Sequence, residues 1–215
     1  MNKIVRTIKL IEQQVRPFTI PSVTKIAFQK DPYRVLISCI LSLRTKDKTT
    51  IEASNRIFSV APNPSQMIRL TKAQIQKLIY PVGFYRTKSK VILGISRRLL
   101  DNFKGKVPDS LDELLSFTGV GRKTANLVLG LGFGIPAICV DTHVHRISNR
   151  LGWVKTNDPG ETEKALQKII LKKYWIDLNT YLVAFGQNRC LPVSPYCSVC
   201  SARIYCKRIG VGKSR

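Results

Sequence analysis

Apolar residues recur along most of the chain at the three- and four-residue intervals of amphipathic helices. No segment of useful length alternates between apolar and polar positions, as an exposed strand would. Asp31-Pro32 opens one helical run with a capping aspartate and a proline at the first helical position. Pro64 and Thr71 mark two further starts, and a long amphipathic run covers residues 85–103. The pattern predicts an all-α protein of nine or ten helices.

Several shorter segments extend this helical pattern. Ser110 and Glu113 have the spacing of a capping box ahead of another helix. A further helix is expected from residue 158 to about residue 173. Residues 135–140 are expected to be extended, but one short strand would have no partner. These segments therefore leave the prediction of an all-α protein unchanged.

The net charge is the strongest compositional signal. The 215 residues include 36 Lys and Arg against 13 Asp and Glu, a net charge of +23. Acidic residues are absent from 53–100 and from 178 to the C-terminus, where basic residues are frequent. This excess implies a polyanionic partner, and two basic stretches would suit a DNA duplex. A generally basic surface that binds nucleic acid loosely is the alternative.

A membrane is the other anionic surface that such a charge could bind. The longest uncharged stretch, residues 124–140, is interrupted by three glycines and a proline. It is shorter than the roughly 20 apolar residues that a spanning helix needs. The first sixteen residues carry charges throughout and lack the apolar core of an export signal. We therefore expect no membrane association and a reducing intracellular compartment, the cytoplasm with its nucleoid.

One segment combines turn-forming glycines with cations. Two glycines one residue apart allow unusual dihedrals and let backbone N–H groups approach a ligand closely. A helix predicted over 123–131 follows directly, and its N-terminus favours an anion such as a nucleic-acid phosphate. Lys123 lies at that N-terminus. The DNA-binding candidates of this segment are Gly119, Val120, Gly121, Arg122 and Thr124.

The six cysteines are of two kinds. Cys39 and Cys139 are isolated in apolar runs and are expected to pack in the core. The other four lie close together near the C-terminus: Cys190, Cys197, Cys200 and Cys206. Because no export signal accompanies them, a metal site is a better prediction than disulfides. Four thiolates suit zinc or an iron–sulfur cluster, and only one close pair of the kind that zinc sites usually repeat is present.

The order of these motifs resembles a known family. A helix, the hairpin Gly-Val-Gly-Arg-Lys-Thr-Ala, an apolar helix and then Val-Asp-Thr-His resemble the helix-hairpin-helix DNA glycosylase superfamily. The 6-2-5 cysteine spacing is similar to the iron–sulfur loop of its endonuclease III branch. The resemblance covers nearly the whole chain and implies a 4Fe–4S cluster on the four cysteines. It also implies two helical lobes flanking a DNA-binding cleft: a helical barrel lobe over 25–135, and a cluster lobe of 1–24 plus 136–215.

The resemblance further implies catalytic roles for Lys123 and Asp141. Lys123 would be the amine that attacks the sugar, forms a Schiff base and leads to β-elimination. A helix N-terminus among other cations disfavours the charged form of such an amine. Asp141 would stabilise the positive charge that develops on the sugar and help to deprotonate the lysine. Without the resemblance, the residues alone favour a phosphate-binding lysine and an N-cap aspartate.

Three other residues are candidates for contacts to DNA. A base inside a duplex must be flipped out and its space filled. By position in the family, Arg44 and Phe84 match the side chains that do this, although endonuclease III relatives often carry Gln in place of Arg44. Core packing is the alternative for Phe84. His143 is a further DNA-binding candidate, and its pairing with His145 is too weak a signal for a metal.

Two departures from the family pattern affect DNA binding. The six residues between Cys190 and Cys197 include no cation. Residues beside this segment are therefore better candidates for a phosphate contact than the segment itself. Thr118 stands where proline commonly precedes the first hairpin glycine.

Taken together, the residues and the resemblance predict a monomeric DNA glycosylase and AP lyase acting on oxidised or ring-saturated pyrimidines in duplex DNA. A monofunctional mismatch glycosylase, removing uracil, thymine or adenine, is one alternative, and Lys123 argues against it. A non-enzymatic DNA-binding protein with a structural metal is the other.

Overall fold

The computed structural model describes residues 2–215. The regular elements in this range are all helices, with no β-strand among them, as the sequence pattern predicts. Twelve α-helices occur in this part of the chain, because helices for which no start was predicted, such as α2, add to the nine or ten expected. In chain order the helices are α1 (Lys3–Val15), α2 (Ser22–Ala27), α3 (Pro32–Ser42), α4 (Asp47–Val60), α5 (Pro64–Met67), α6 (Lys72–Ile79), α7 (Tyr85–Phe103), α8 (Leu111–Leu115), α9 (Arg122–Leu127), α10 (Thr142–Leu151), α11 (Pro159–Ile169) and α12 (Trp175–Asn188).

The chain divides into two compact units. One comprises the chain up to Pro21 together with Pro136–Arg215, and the other comprises Ser22–Ile135. None of the helices described in residues 2–215 combines the length and the apolar character that crossing a bilayer requires.

Local signals account for the start and end of several helices. The Asp31 side chain accepts hydrogen bonds from the backbone N–H groups of Tyr33 (2.9 Å) and Arg34 (3.2 Å), which caps α3. Thr71 forms a complete capping box at α6. The predicted amphipathic run coincides with α7, which ends where Lys104 adopts a left-handed conformation. These boundaries confirm the prediction because each depends on atoms within a few residues of the helix end.

Three local predictions need correction. Ser110 is the residue before α8, but its side chain makes no capping bond, so the predicted capping box is not formed. The helix expected to continue to about residue 173 ends with α11, since Ile170 is extended and its carbonyl accepts the Trp175 indole N–H at 2.8 Å. The helix expected over 123–131 begins one residue earlier as α9 and continues as a π-helical turn, Val128–Gly132.

The Ser22–Ile135 unit is built around α3. This helix packs against α2, α4, α7 and α9, and its residues 35–37 have no exposed surface. Complete burial of one such aliphatic side chain contributes about 1.5–3 kcal/mol. Cys39, on the same helix, is 1% exposed, which confirms its predicted place in the core.

The other unit has its own core, formed where α12 packs against α1 and α10. Ile8, Val144 and Phe185 lie at its centre. Residues 137–140, which lie outside any helix, are buried, Cys139 among them, and lead directly into α10. This buried segment therefore determines where Asp141, the residue before α10, is held.

Candidate functional site

The hairpin between α8 and α9 uses its two glycines for different reasons. Gly119 has a φ of +85°, and a Cβ on it would lie 2.8 Å from Cγ1 of Val91. Gly121 has an ordinary φ of −98°, so only one of the two adopts the unusual dihedrals expected for both. Apart from Gly121 itself and its two chain neighbours, no heavy atom of residues 2–215 lies within 4 Å of a Cβ built on Gly121. Gly119 therefore provides the left-handed backbone conformation that the turn needs, whereas Gly121 leaves its backbone accessible to a ligand.

The five hairpin candidates are not equivalent. Gly119, Gly121 and Arg122 are exposed, and their surface is accessible to a ligand. Val120 and Thr124 are 6% and 3% exposed, so their side chains support the hairpin from inside. The structure thus leaves two glycines and one arginine as the accessible members of the set.

Lys123 is the second residue of α9 and is half-buried. Helix α9 packs against α3, where burial raises the pKa of the Cys39 thiol to about 12 and the positive charge of Lys123 acts in the opposite direction. The lysine therefore lies close to the apolar core of its unit. This environment is drier than that of the exposed neighbour Arg122.

Asp141 caps α10, as its position in the sequence predicts. Its Oδ1 atom accepts hydrogen bonds from the backbone N–H groups of His143 and Val144, each at 2.9 Å. Two bonds to backbone donors fix the orientation of the carboxylate. His143 is half-buried, and its Nδ1 lies 3.2 Å from a guanidinium nitrogen of Arg146. His145 instead pairs through Nδ1 with the Thr162 hydroxyl at 2.7 Å.

Two arginines of α10 join this helix to the first cysteine. Arg146 donates to the carbonyl oxygen of Cys190 at 2.8 Å. Arg150, only 8% exposed, donates to the carbonyl oxygens of Leu191 and Pro192 and lies 3.6 Å from Sγ of Cys190. Neither arginine was a sequence candidate, although their spacing of four places both on one face of a helix.

The four C-terminal cysteines come together. All four are unpaired by disulfides, are half-buried and line one pocket with Arg150, Leu151 and Phe185. Burial raises the pKa of the Cys200 thiol to about 11 and raises that of Cys206 as well. Within residues 2–215, no group of three or more His, Cys, Asp or Glu side chains is arranged to hold a single metal ion. Four thiolates are a donor set that either zinc or an iron–sulfur cluster can take.

Arg44 and Phe84 lie together at the surface of the Ser22–Ile135 unit. Phe84 is 62% exposed, so core packing, the alternative for this residue, is wrong. The Arg44 guanidinium lies over the Phe84 ring, 5.6 Å from its centroid. Both residues have a positive φ, 52° and 57°, which is uncommon for residues other than glycine.

Comparison with known proteins agrees with this arrangement. A family model described as HhH-GPD superfamily base excision DNA repair protein matches residues 37–172. The chain is 48% identical over 190 residues to Endonuclease III of Thermotoga maritima, covering 87% of this chain and 89% of that protein. It is 34% identical over 178 residues to Endonuclease III of Bacillus subtilis, covering 82% and 81%.

Solved structures give the same result. A non-covalent Endonuclease III–DNA complex matches with a TM-score of 0.83 and 32% identity, over 97% of this chain and 96% of that one. A trapped Endonuclease III–DNA covalent intermediate matches with a TM-score of 0.78 and 33% identity, over 91% and 95%.

The all-helical fold and the exposed glycine hairpin thus define a DNA repair enzyme of the helix-hairpin-helix class. The chain belongs to the HhH-GPD superfamily of base excision DNA repair proteins, in its endonuclease III branch. It is a DNA glycosylase with AP lyase activity, which confirms the resemblance seen in the sequence.

Proposed function

We propose that the chain removes oxidised or ring-saturated pyrimidines from duplex DNA and then cleaves the abasic site through a Schiff base on Lys123. The observation that carries this proposal is the position of Lys123, half-buried in the first turn of α9 and directly behind the exposed hairpin. A phosphate bound at the hairpin would bring the neighbouring sugar towards this amine. We propose that it acts as a monomer at the nucleoid.

The chemical steps follow from an amine nucleophile. Neutral Nζ of Lys123 forms a bond to C1′ as the N-glycosidic bond breaks, and the base leaves with its bonding electrons and takes up a proton. The sugar ring opens to a protonated Schiff base. This group withdraws electrons from C2′, which loses a proton, and the C3′–O bond then breaks with the phosphate as leaving group. Water releases the product and regenerates the amine.

Asp141 is proposed to supply the negative charge that this reaction needs. Positive charge develops on the sugar as the base departs, and a fixed carboxylate stabilises such charge more effectively than mobile water does. The two backbone N–H groups that bind Oδ1 hold the carboxylate in place before the substrate arrives. Its capping role and its proposed electrostatic role are therefore compatible.

The lesion class is tested by incubating the protein with duplexes that each carry a single modified base. A dihydrouracil or thymine glycol substrate should yield free base and a cleaved strand without added alkali. Duplexes with a uracil, a mismatched thymine or a mismatched adenine should remain intact. Release of a mismatched base with no strand cleavage would instead support the monofunctional alternative.

Glycine substitutions should separate the turn from the ligand contact. Gly119→Ala should cost about 1–3 kcal/mol of unfolding free energy, because its φ is left-handed and the methyl group would clash with Val91. Gly121→Ala should change stability by less than about 0.5 kcal/mol, since its φ is ordinary and the space is open. The same methyl group should weaken duplex binding. Urea unfolding and fluorescence anisotropy with a labelled duplex measure the two effects, and unchanged affinity for Gly121→Ala would contradict a phosphate contact here.

The four cysteines would hold a 4Fe–4S cluster, which their common pocket and the family's cysteine spacing both support. When bound, it would cross-link the loop from Cys190 to Cys206, and no redox step is required for the chemistry above. This loop carries no cation between its first two cysteines, so Arg189 and Arg208 at its flanks are the proposed phosphate contacts.

Arg150 should be needed to retain the cluster. Arg150→Met would leave the carbonyl oxygens of Leu191 and Pro192 without their donor and loosen the start of the loop. We expect cluster affinity to fall roughly 10- to 100-fold, the usual effect of losing a group that orients a metal ligand. Iron and sulfide content after dialysis against a chelator measures this. Arg203→Met, exposed and within the same loop, is the matched control and should retain iron like the wild type.

A further inference from the structure

Lys88 is a buried cation that the proposed chemistry does not use. It lies on α7, four residues after Phe84, and is only 6% exposed. Among residues 2–215, no carboxylate lies within ion-pair distance of its ammonium group. The ammonium instead donates three hydrogen bonds to the last turn of α3 and the loop that follows it: to the carbonyl oxygens of Leu41 (2.8 Å) and Leu43 (2.5 Å) and to the Thr45 hydroxyl (3.2 Å).

This loop also touches the turn that carries Phe84. The Thr45 hydroxyl accepts a hydrogen bond from the backbone N–H of Gly83 at 3.2 Å. A Cβ on Gly83 would lie only 2.6 Å from the carbonyl oxygen of Arg44, so only glycine permits this approach. The segment 43–45 and the turn before α7 are therefore in direct backbone contact. The Lys88 ammonium donates hydrogen bonds to the segment 43–45 from its buried side.

The two residues presented by these segments are held in uncommon conformations. Arg44 and Phe84 both have positive φ values, and such conformations persist only where the surroundings enforce them. Placing a lysine ammonium out of water is itself unfavourable, and burial lowers the pKa of Lys88 to about 8. An apolar side chain would fill this position at lower cost. The three hydrogen bonds to Leu41, Leu43 and Thr45 explain why a lysine is present instead.

We propose that Lys88 is a positioning residue that fixes the Arg44 loop against the Phe84 turn, so that the two side chains enter the duplex as one preformed wedge. This inference depends on the proposed function and on the roles that the sequence resemblance implies for Arg44 and Phe84, which would fill the space of the extruded base. A wedge ordered in advance does not have to be ordered during base extrusion, which lowers the free energy of that step.

The test compares substrates that do and do not need a wedge. Lys88→Met removes the three donors while keeping an unbranched side chain of similar length. Excision of dihydrouracil from a duplex should slow roughly 100-fold, the scale of a misplacement near 1 Å. Cleavage of an abasic site in a single-stranded oligonucleotide should stay near the wild-type rate, since no opposite base is orphaned there. Lys106→Met, exposed and with the same charge change, should leave both rates unaltered.

The outcomes are distinguishable. An equal loss on both substrates would show that Lys88 only maintains the fold, and no loss on either would also overturn the proposal. A wild-type protein inactive on both substrates would refute the proposed function itself. If Lys88→Met does not fold, Thr45→Val gives a second test, because it removes the hydroxyl shared by Lys88 and Gly83 and should show the same split between substrates.

A spectroscopic readout follows the wedge directly. The reporter is 2-aminopurine placed opposite a stable abasic-site analogue in a duplex, where insertion of the wedge should raise its fluorescence. The rise should be reduced in Lys88→Met and in Phe84→Ala. The double variant should be no worse than the more impaired single variant, because both changes remove the same element. Additive losses would contradict a role of Lys88 through Phe84.

Discussion

Lys123→Ala is expected to abolish the covalent adduct that the wild-type protein forms with abasic DNA in the presence of borohydride. Borohydride reduces a Schiff base to a stable amine, so an adduct appears only when a protein amine has bonded to C1′. The alanine side chain has no amine, and loss of a nucleophile commonly lowers the rate on the order of 10³-fold or more. Denaturing electrophoresis of a labelled strand measures the adduct. Alanine is also a good helix former, so α9 should remain intact.

Arg122→Ala is the matched control for this variant. It is adjacent and exposed, and it removes the same positive charge from the same helix start. It should weaken DNA binding but still form the adduct at saturating DNA. Persistence of the adduct in Lys123→Ala would place the nucleophile elsewhere. An equal loss of adduct in both variants would indicate that Lys123 only binds phosphate.

The helices were predictable where their boundaries depend on neighbouring atoms. Asp31 and Thr71 cap α3 and α6 through bonds to residues two or three positions away, and such contacts can be read from spacing alone. The end of α11 was not predictable in this way. Ile170 leaves the helix where its carbonyl meets an indole N–H from a residue beyond the helix.

The residues that sequence reasoning missed act across large separations. Lys88 bonds to atoms 43 to 47 positions earlier in the chain, and Arg150 to atoms about 40 positions later. Most of their partners are backbone carbonyl oxygens, which every residue possesses. No residue type therefore marks the partner, and spacing along the chain carries no signal. Only the packing of the helices reveals that these cations each hold a loop.

Asp141→Asn is expected to slow base excision by about 10²- to 10³-fold, the usual range for removing one preorganised electrostatic contact. The substitution isolates the charge, because an asparagine Oδ1 can accept the same two N–H bonds from His143 and Val144. Aspartate and asparagine are about equally good N-caps, so the free energy of unfolding should change by less than about 1 kcal/mol. Single-turnover excision and urea unfolding, measured on one preparation, give both quantities.

Asp158→Asn provides the matched control. Asp158 caps α11 in the same unit, with its side chain accepting the backbone N–H of Glu161 at 2.9 Å. The change is chemically identical but lies outside the proposed site, so excision should proceed at the wild-type rate. If Asp141→Asn were as active as this control, Asp141 would serve only as a cap. If its loss of activity instead matched a loss of stability, the carboxylate charge would have no separate part in the reaction.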